Sequence, residues 1–196
     1  MIRFLLRPFN KTGLFTLLIA LLISSCSTSE YDRTVKEELS KNLQLDSLKF
    51  GLSFGDTHEQ FFSKCTVLNK NQLITQGDVG IMAVHQIYDA NNTEHMKYYF
   101  FGKFLKDKDM MTGIDMQFSY NGWTPWAEQT HSDVLIEEVM DTLMKWYPGN
   151  PFKKIENEKL EQPLYYKIDG NRQILLHTKG LRDVIGMVED LNHKYN

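Results

Sequence analysis

From residue 47 onward the hydrophobic positions change period several times, and each change marks an element. Leu48, Phe50, Leu52 and Phe54 alternate with Lys49, Gly51, Ser53 and Gly55, the period of a strand with one buried face. Asp56-Thr57-His58-Glu59-Gln60 opens a helix: Thr57 with Gln60 three residues on is a capping box, and Asp56 and Glu59 complement the positive helix start. Phe61, Cys65 and Leu68 continue it at i, i+4 and i+7, which places Cys65 in the apolar stripe. Three β-like runs, 81–88, 95–104 and 112–120, are separated by Asp89-Ala90-Asn91-Asn92 and Lys106-Asp107-Lys108-Asp109, turn sequences short enough to require antiparallel neighbours. A second helix is predicted from Thr130 or Ser132 to Tyr147. Thr130 with Asp133 three residues on caps it, Leu135, Val139, Leu143 and Trp146 form its stripe, and Pro148-Gly149-Asn150 stops it. Runs 164–168 and 173–178 flank Asp169-Gly170-Asn171-Arg172, the clearest hairpin signal in the chain. Segment 184–191 suits a closing strand or a short helix, and the β-branched Val184, Ile185 and Val188 favour the strand. The order of elements predicts an α+β fold, a twisted antiparallel sheet with two helices packed on one face.

Upstream of that domain the pattern differs. Val35, Leu39 and Leu43 fall at four-residue spacing among charges, one thin stripe that fits a short helix lying on the domain or a frayed spacer. At the start of the chain Arg3, Arg7 and Lys11 form a basic head before the apolar run 14–23 (LFTLLIALLI). A spanning helix needs about 20 apolar residues, whereas a run of about 10 to 14 fits the core of a signal peptide. The run is followed by Ile23-Ser24-Ser25-Cys26, which resembles the lipobox of bacterial lipoproteins. That resemblance implies that the Cys26 sulfur receives a diacylglycerol, that the signal helix is cut off just before it, and that the new amine is acylated. Two or more acyl chains hold a protein stably on a membrane where one does so only marginally. By the same resemblance, Ser27 in place of an aspartate points to the outer membrane, and the small, acidic stretch 27–32 is similar to surface-export tags, which leaves display on the cell exterior open. The organisation expected is a signal peptide at 1–25, an acylated N-terminus and tether at 26–46, and one globular domain at 47–196.

Composition fits this division. Of 196 residues 42% are hydrophobic and 24% charged, enough for one packed core plus a tail. The 22 basic residues against 25 acids include no basic block, which argues against nucleic acid as the main partner. Losing residues 1–25 removes three basic residues and no acid, so the net charge falls from -3 to -6. Anionic lipid repels such a surface, and attachment to the membrane is expected to come from acyl chains on Cys26 alone. Two cysteines are too few for a disulfide framework.

Local catalytic signatures are missing. No two of the six histidines sit at i, i+4 on a predicted helix, and the densest cluster, His131 with Asp133 and Glu137, lies at a helix start where acids suit the dipole. There is no Gly-x-Ser-x-Gly elbow and no phosphate loop, and the neighbours Glu37-Glu38 and Glu137-Glu138 point about 100° apart on a helix. The expectation is a non-catalytic protein with no cofactor and no metal. Cys65 reads as core packing, with a reactive thiol as the alternative. Trp123 and Trp126, with Gly122 and Pro125 between strand and helix, are the candidate binding surface. They also fit a hydrophobic plug over the open end of the sheet, the reading favoured by the usual burial of large aromatics. The stretch 51–62, a glycine-bounded strand end entering a helix, is similar to small α+β envelope lipoproteins and inhibitor-like modules, which implies binding rather than chemistry. The function expected is therefore that of a cell-envelope lipoprotein that binds a protein partner or supports an envelope assembly. A small-ligand or glycan binder through Trp123 and Trp126, and an enzyme with dispersed residues, are the alternatives.

Cys26→Ser tests the anchor directly. The variant is expected to stay unprocessed by lipoprotein signal peptidase and to lose fatty-acid labelling, and labelling at the wild-type level would overturn the lipobox assignment.

Overall fold

A computed structural model describes residues 29–77, 82–88, 95–155, 160 and 162–195. The leader, Cys26, the first residue of the run at 81–88 and the turn at 89–92 lie outside the described residues. Helix α1 (Glu30–Ser40) comes first, followed by α2 (His58–Lys70), β1 (Thr75–Gln76), β2 (Ala83–Ile87), β3 (Met96–Leu105) and β4 (Met110–Tyr120). Then follow α3 (Ser132–Trp146), β5 (Lys153–Ile155), β6 (Leu164–Asp169), β7 (Arg172–Lys179), β8 (Asp183–Asp190) and the single turn α4 (Asn192–Tyr195). Among the described residues eight strands form one sheet in the order β1-β2-β3-β4-β8-β7-β6-β5, with every neighbouring pair antiparallel. The fold is α+β as the periodicity implied, and segment 184–191 is the strand that its β-branched residues favoured. No helix among the described residues is long and apolar enough to cross a membrane.

Strand alternation sorts the sheet into two faces. Tyr98 lies opposite Phe118 and Phe100 opposite Met116, and the same rows continue through Val184 and Gly186 to Thr178 and Leu176. Against this face α3 places Leu135, Val139 and Leu143, and α2 places Phe61 and Leu68, all in one buried cluster. Each of the three α3 residues is fully buried, worth about 1.5–3 kcal/mol apiece in area removed from water. Trp146 closes the last turn of α3 edge-on to Tyr98, with ring centroids 5.1 Å apart.

Segment 48–54 corrects the sequence reading. It is not a strand but a tight loop containing a 3-10 turn at Lys49–Gly51, with Phe50 at φ 65° and Gly51 at φ 71°. Both lie in the left-handed region, which no strand can pass through. Ser47 bridges to Ser53 across the loop, and the Leu48 N–H donates to Leu52 O. The loop still buries Leu48, Leu52 and Phe54, and the Phe50 ring stacks on Phe100 at 5.5 Å, so the alternation reports burial correctly while the backbone coils.

The helix starts divide into one expectation met and one corrected. At α2 the capping box forms, with the Gln60 N–H donating to the Thr57 hydroxyl and the Thr57 N–H to the Gln60 side chain. At α3 the cap is His131, without a side-chain capping bond, while Thr130 sits in a preceding 3-10 turn and its hydroxyl donates to Ala127 O. Of the two readings left open for the segment before residue 47, the helix lying on the domain is the one found. The compact unit that carries the sheet begins at Thr34, and within 34–46 Val35 and Glu38 are buried.

Position 186 shows how tightly β7 and β8 are fitted. A Cβ on Gly186 would lie 2.2 Å from Leu175 O and 2.6 Å from Leu176 Cδ2. Gly186→Ala is expected to force β7 and β8 apart and to lower stability by about 3 kcal/mol, read as a lower midpoint in urea unfolding with little change in slope.

Candidate functional site

The register brings five strand ends together. Ile87, Met96 and Tyr120 form one row, and Ser119, Asp183 and Lys179 another, so the loop 121–131, the turn 180–182 and Tyr88 all leave the sheet at the same end. Hydrogen bonds fix this loop cluster. The Trp123 indole N–H donates to Leu181 O at 3.1 Å, the Ser132 N–H to the same oxygen at 2.9 Å, and the Ser132 hydroxyl to Gly180 O at 2.8 Å. On the other side the Asn121 amide donates to Gln86 Oε1 at 3.1 Å, and the His131 ring bonds Pro125 O at 3.0 Å.

The two tryptophans of the candidate surface are brought together on one loop but serve different ends. Trp123 is half-buried and ties the loop to the turn at 181. Trp126 is 83% exposed, which corrects the plug reading. The physical reason lies in the loop: with Trp123 already fastened to Leu181 and His131 holding Pro125, the backbone turns Trp126 outward. Tyr88 and Leu181, 71% and 58% exposed, leave the sheet at the same end. Single exposed apolar residues are ordinary, but three large ones at one sheet end, two of them on hydrogen-bonded loops, make a surface suited to docking. Neither Tyr88 nor Leu181 stood out in the sequence, because only the antiparallel register reveals that positions 88, 126 and 181 share an end.

The histidines at the two helix starts have bonding partners. The His131 ring is engaged by Pro125 O, and Asp133 and Glu137 are exposed on α3. His58, at the start of α2, stacks on Phe104 and bonds through Nδ1 to Asp109, whose carboxylate also accepts the His58 N–H at 3.0 Å. These contacts with His58 hold the Asp109 carboxyl below the usual range, and the pair serves to clamp the β3–β4 turn onto the helix start. No group of three or more His, Cys, Asp or Glu among the described residues is placed to hold a metal.

A concavity lies between α2 and the β1–β2 edge. It holds about 430 Å³ and is lined by Phe61, Phe62, Cys65, Ile74, Met82 and Phe101 among others. Its sequence signal was the doublet Phe61-Phe62, since adjacent helix residues cannot both enter one stripe; Phe61 is buried and Phe62 exposed. Cys65 is half-buried on the wall of this groove and packs against the core.

The chain matches no protein-family model, no curated protein and no solved structure. The assignment therefore rests on residues and geometry.

Burial pushes the Cys65 thiol up to about 11. A thiol reacts as its thiolate, so deprotonation falls about tenfold for each unit below the pKa. In the Cys26→Ser chain, where Cys65 is the remaining cysteine, native alkylation is expected to be slow at pH 7 and to keep rising through pH 10. An ordinary thiol levels off above about pH 9, and a plateau there would show Cys65 to be an exposed, normal thiol.

Proposed function

We propose that this chain is a lipid-anchored, non-catalytic protein of a bacterial cell envelope that docks a protein partner through the aromatic end of its sheet. The observation that carries the docking is Trp126, 83% exposed on a loop fixed at both sides by hydrogen bonds. A rigid loop presents the indole without a large ordering cost on binding, and tryptophan is the residue most enriched among dominant contacts at protein interfaces. Tyr88, after β2, and Leu181, between β7 and β8, are exposed at the same end of the sheet, and polar Asn121, Glu128 and Arg182 are exposed there too. Anchoring is supported by the order of basic head, apolar run, small pair and Cys26. The anchor would be in the outer membrane, with the domain on its periplasmic face or at the cell surface. The non-catalytic assignment is supported by the absence of local catalytic signatures from the sequence.

Trp126→Ala provides the test. Truncating an exposed ring removes little buried area, so the melting temperature is expected to stay within about 2–3 °C of wild type, while recovery of the partner from solubilised envelopes falls at least about 10-fold. Trp123→Ala, which removes the bond to Leu181, is expected to lower both. Unchanged capture by Trp126→Ala would overturn the docking surface. A tryptophan-fluorescence response to a glycan panel that disappears in Trp126→Ala would replace the protein partner with a sugar.

A further inference from the structure

Segment 34–46 grips the rest of the domain in an unusual way. Of its residues only Val35 and Glu38 are buried, Leu43 is 48% exposed, and the main apolar cluster begins further on, at Leu48. The grip is polar. The Glu38 carboxylate accepts from the Gly170 N–H at 3.1 Å and from the Asn150 amide at 2.7 Å, with Lys41 alongside at 2.6 Å. Asn171 at the tip of the β6–β7 hairpin accepts the Leu45 N–H at 2.6 Å, donates through its amide to Asp46 at 2.9 Å, and donates its own N–H to Leu43 O at 3.2 Å.

The body is built to survive the loss of these contacts. Without the segment, Asn171 keeps its bond to Asp190 at 3.0 Å, and Asn150 keeps Ile168 O at 2.7 Å and the Asp169 carboxylate at 2.7 Å. Each side chain named at the hairpin end keeps a protein partner, while the Asn192 amide, which loses Gln44 Oε1 at 3.1 Å, the Gly170 N–H and the Glu38 carboxylate become accessible to water. Release would end at Asp46, whose carbonyl is held by the Phe54 N–H and the Ser53 hydroxyl.

We infer that residues 34–46 are a releasable strap, which undocks from the β6–β7 hairpin as one unit while the sheet and its core stay folded. The twelve residues 34–45 freed in this way span up to about 40 Å, lengthening the connection between the domain and the chain upstream. That use of the released strap rests on the anchored reading above, in which it would let the aromatic end reach a partner further from the membrane. The release itself does not depend on an anchor.

Hydrogen exchange of the full chain in detergent tests this. The amides of 34–45 are expected to exchange as a single block at least tenfold faster than those of β4 and β8. Glu38→Gln removes the charge from the bonds to Gly170 and Asn150 and is expected to speed that block about tenfold further, leaving β4 and β8 unchanged. Gly170→Ala, whose Cβ would lie 2.3 Å from Leu43 O, is expected to speed the same block, and because φ at 170 is +55° it also strains the hairpin turn, so β4 is the reference strand for that variant. Exchange of the strap at the rate of the sheet in the wild-type chain would overturn the inference, as would a parallel rise of both in the variants. The Cys26→Ser chain is expected to show the same strap exchange, so failure of the anchor leaves this result standing.

Discussion

The pairing of β4 with β8 is the constraint on which the rest of the structure depends. β1 to β4 follow one another through the sheet, β5 to β8 return through the other half, and the ladder from Gly113–Glu189 to Ser119–Asp183 is the junction of the halves. About seventy residues separate the partners, so the ladder forms only after a large closure entropy has been overcome. The compensation is local and dense. α3 lies over β4, β8 and β7 together, and its fully buried Leu135, Val139 and Leu143 enter the same cluster as Ile114, Phe118, Val184 and Val188. Glycines allow the close fit: a Cβ at Gly113 would lie 2.5 Å from Val188 O, and one at Gly186 still closer to Leu175 O. The junction is therefore held by main-chain proximity as well as by side-chain burial.

That ladder also sets two ends of different character. At one end the loop 121–131 and the turn 180–182 are bound to each other through Leu181 and present Trp126. At the other, the β6–β7 hairpin carries buried ionic groups. Lys167 is fully buried and reaches Asp169 Oδ2 at 2.7 Å and Asn150 O at 2.5 Å, while Arg172 lies over the Tyr147 ring at 4.7 Å. Buried pairs of this kind contribute little net stability, but losing one partner leaves a charge without compensation, a cost of about 3–5 kcal/mol. Their effect is to fix the hairpin geometry. Gly149 shows the closeness of the fit, since a Cβ there would fall 2.2 Å from the Asp169 carboxylate.

The elements that sequence reasoning found are those with a strong period and a local signal. The Thr57/Gln60 box, the α3 stripe, the turn before Arg172 and the β-branched closing strand all depend on neighbours within a few residues. The 48–54 loop was misread because period-2 alternation reports which side chains are buried, and a coil that returns on itself through Phe50 and Gly51 satisfies it as well as a strand does. Thr130 failed as a cap because Ala127 O lay closer to hand for its hydroxyl. Strands β1 and β5, of two and three residues, carry too little pattern to be seen. The candidate surface was half legible. Trp123 and Trp126 were conspicuous as a pair, but their opposite burial depends on Leu181, some sixty residues away, and only the β4–β8 register brings it there.

The same separation of local from distant effects explains why the spacing in 34–46 leaves a helix on the domain and a spacer equally open, while the segment is found docked. Its four-residue spacing of Val35, Leu39 and Leu43 suggested an apolar grip, yet of these only Val35 is buried. What holds the segment is Glu38 and the backbone at 43 and 45, which meet Gly170, Asn150 and Asn171 from more than a hundred positions away. Polar contacts of that kind have no periodic trace in a sequence. Burial makes ionising Glu38 costlier, but Lys41, the Gly170 N–H and the Asn150 amide outweigh it and hold the carboxyl below its ordinary value. A carboxyl lowered in the folded state stabilises that state above its unfolded pKa, and the contribution fades as pH falls through the lowered value. The strap is thus fastened most firmly near neutral pH and loosens in acid. The apolar cluster that begins at Leu48 has no such dependence through Glu38. A segment attached by charge and backbone polarity, beside a core held by area, gives the fold two parts whose stabilities respond to different conditions.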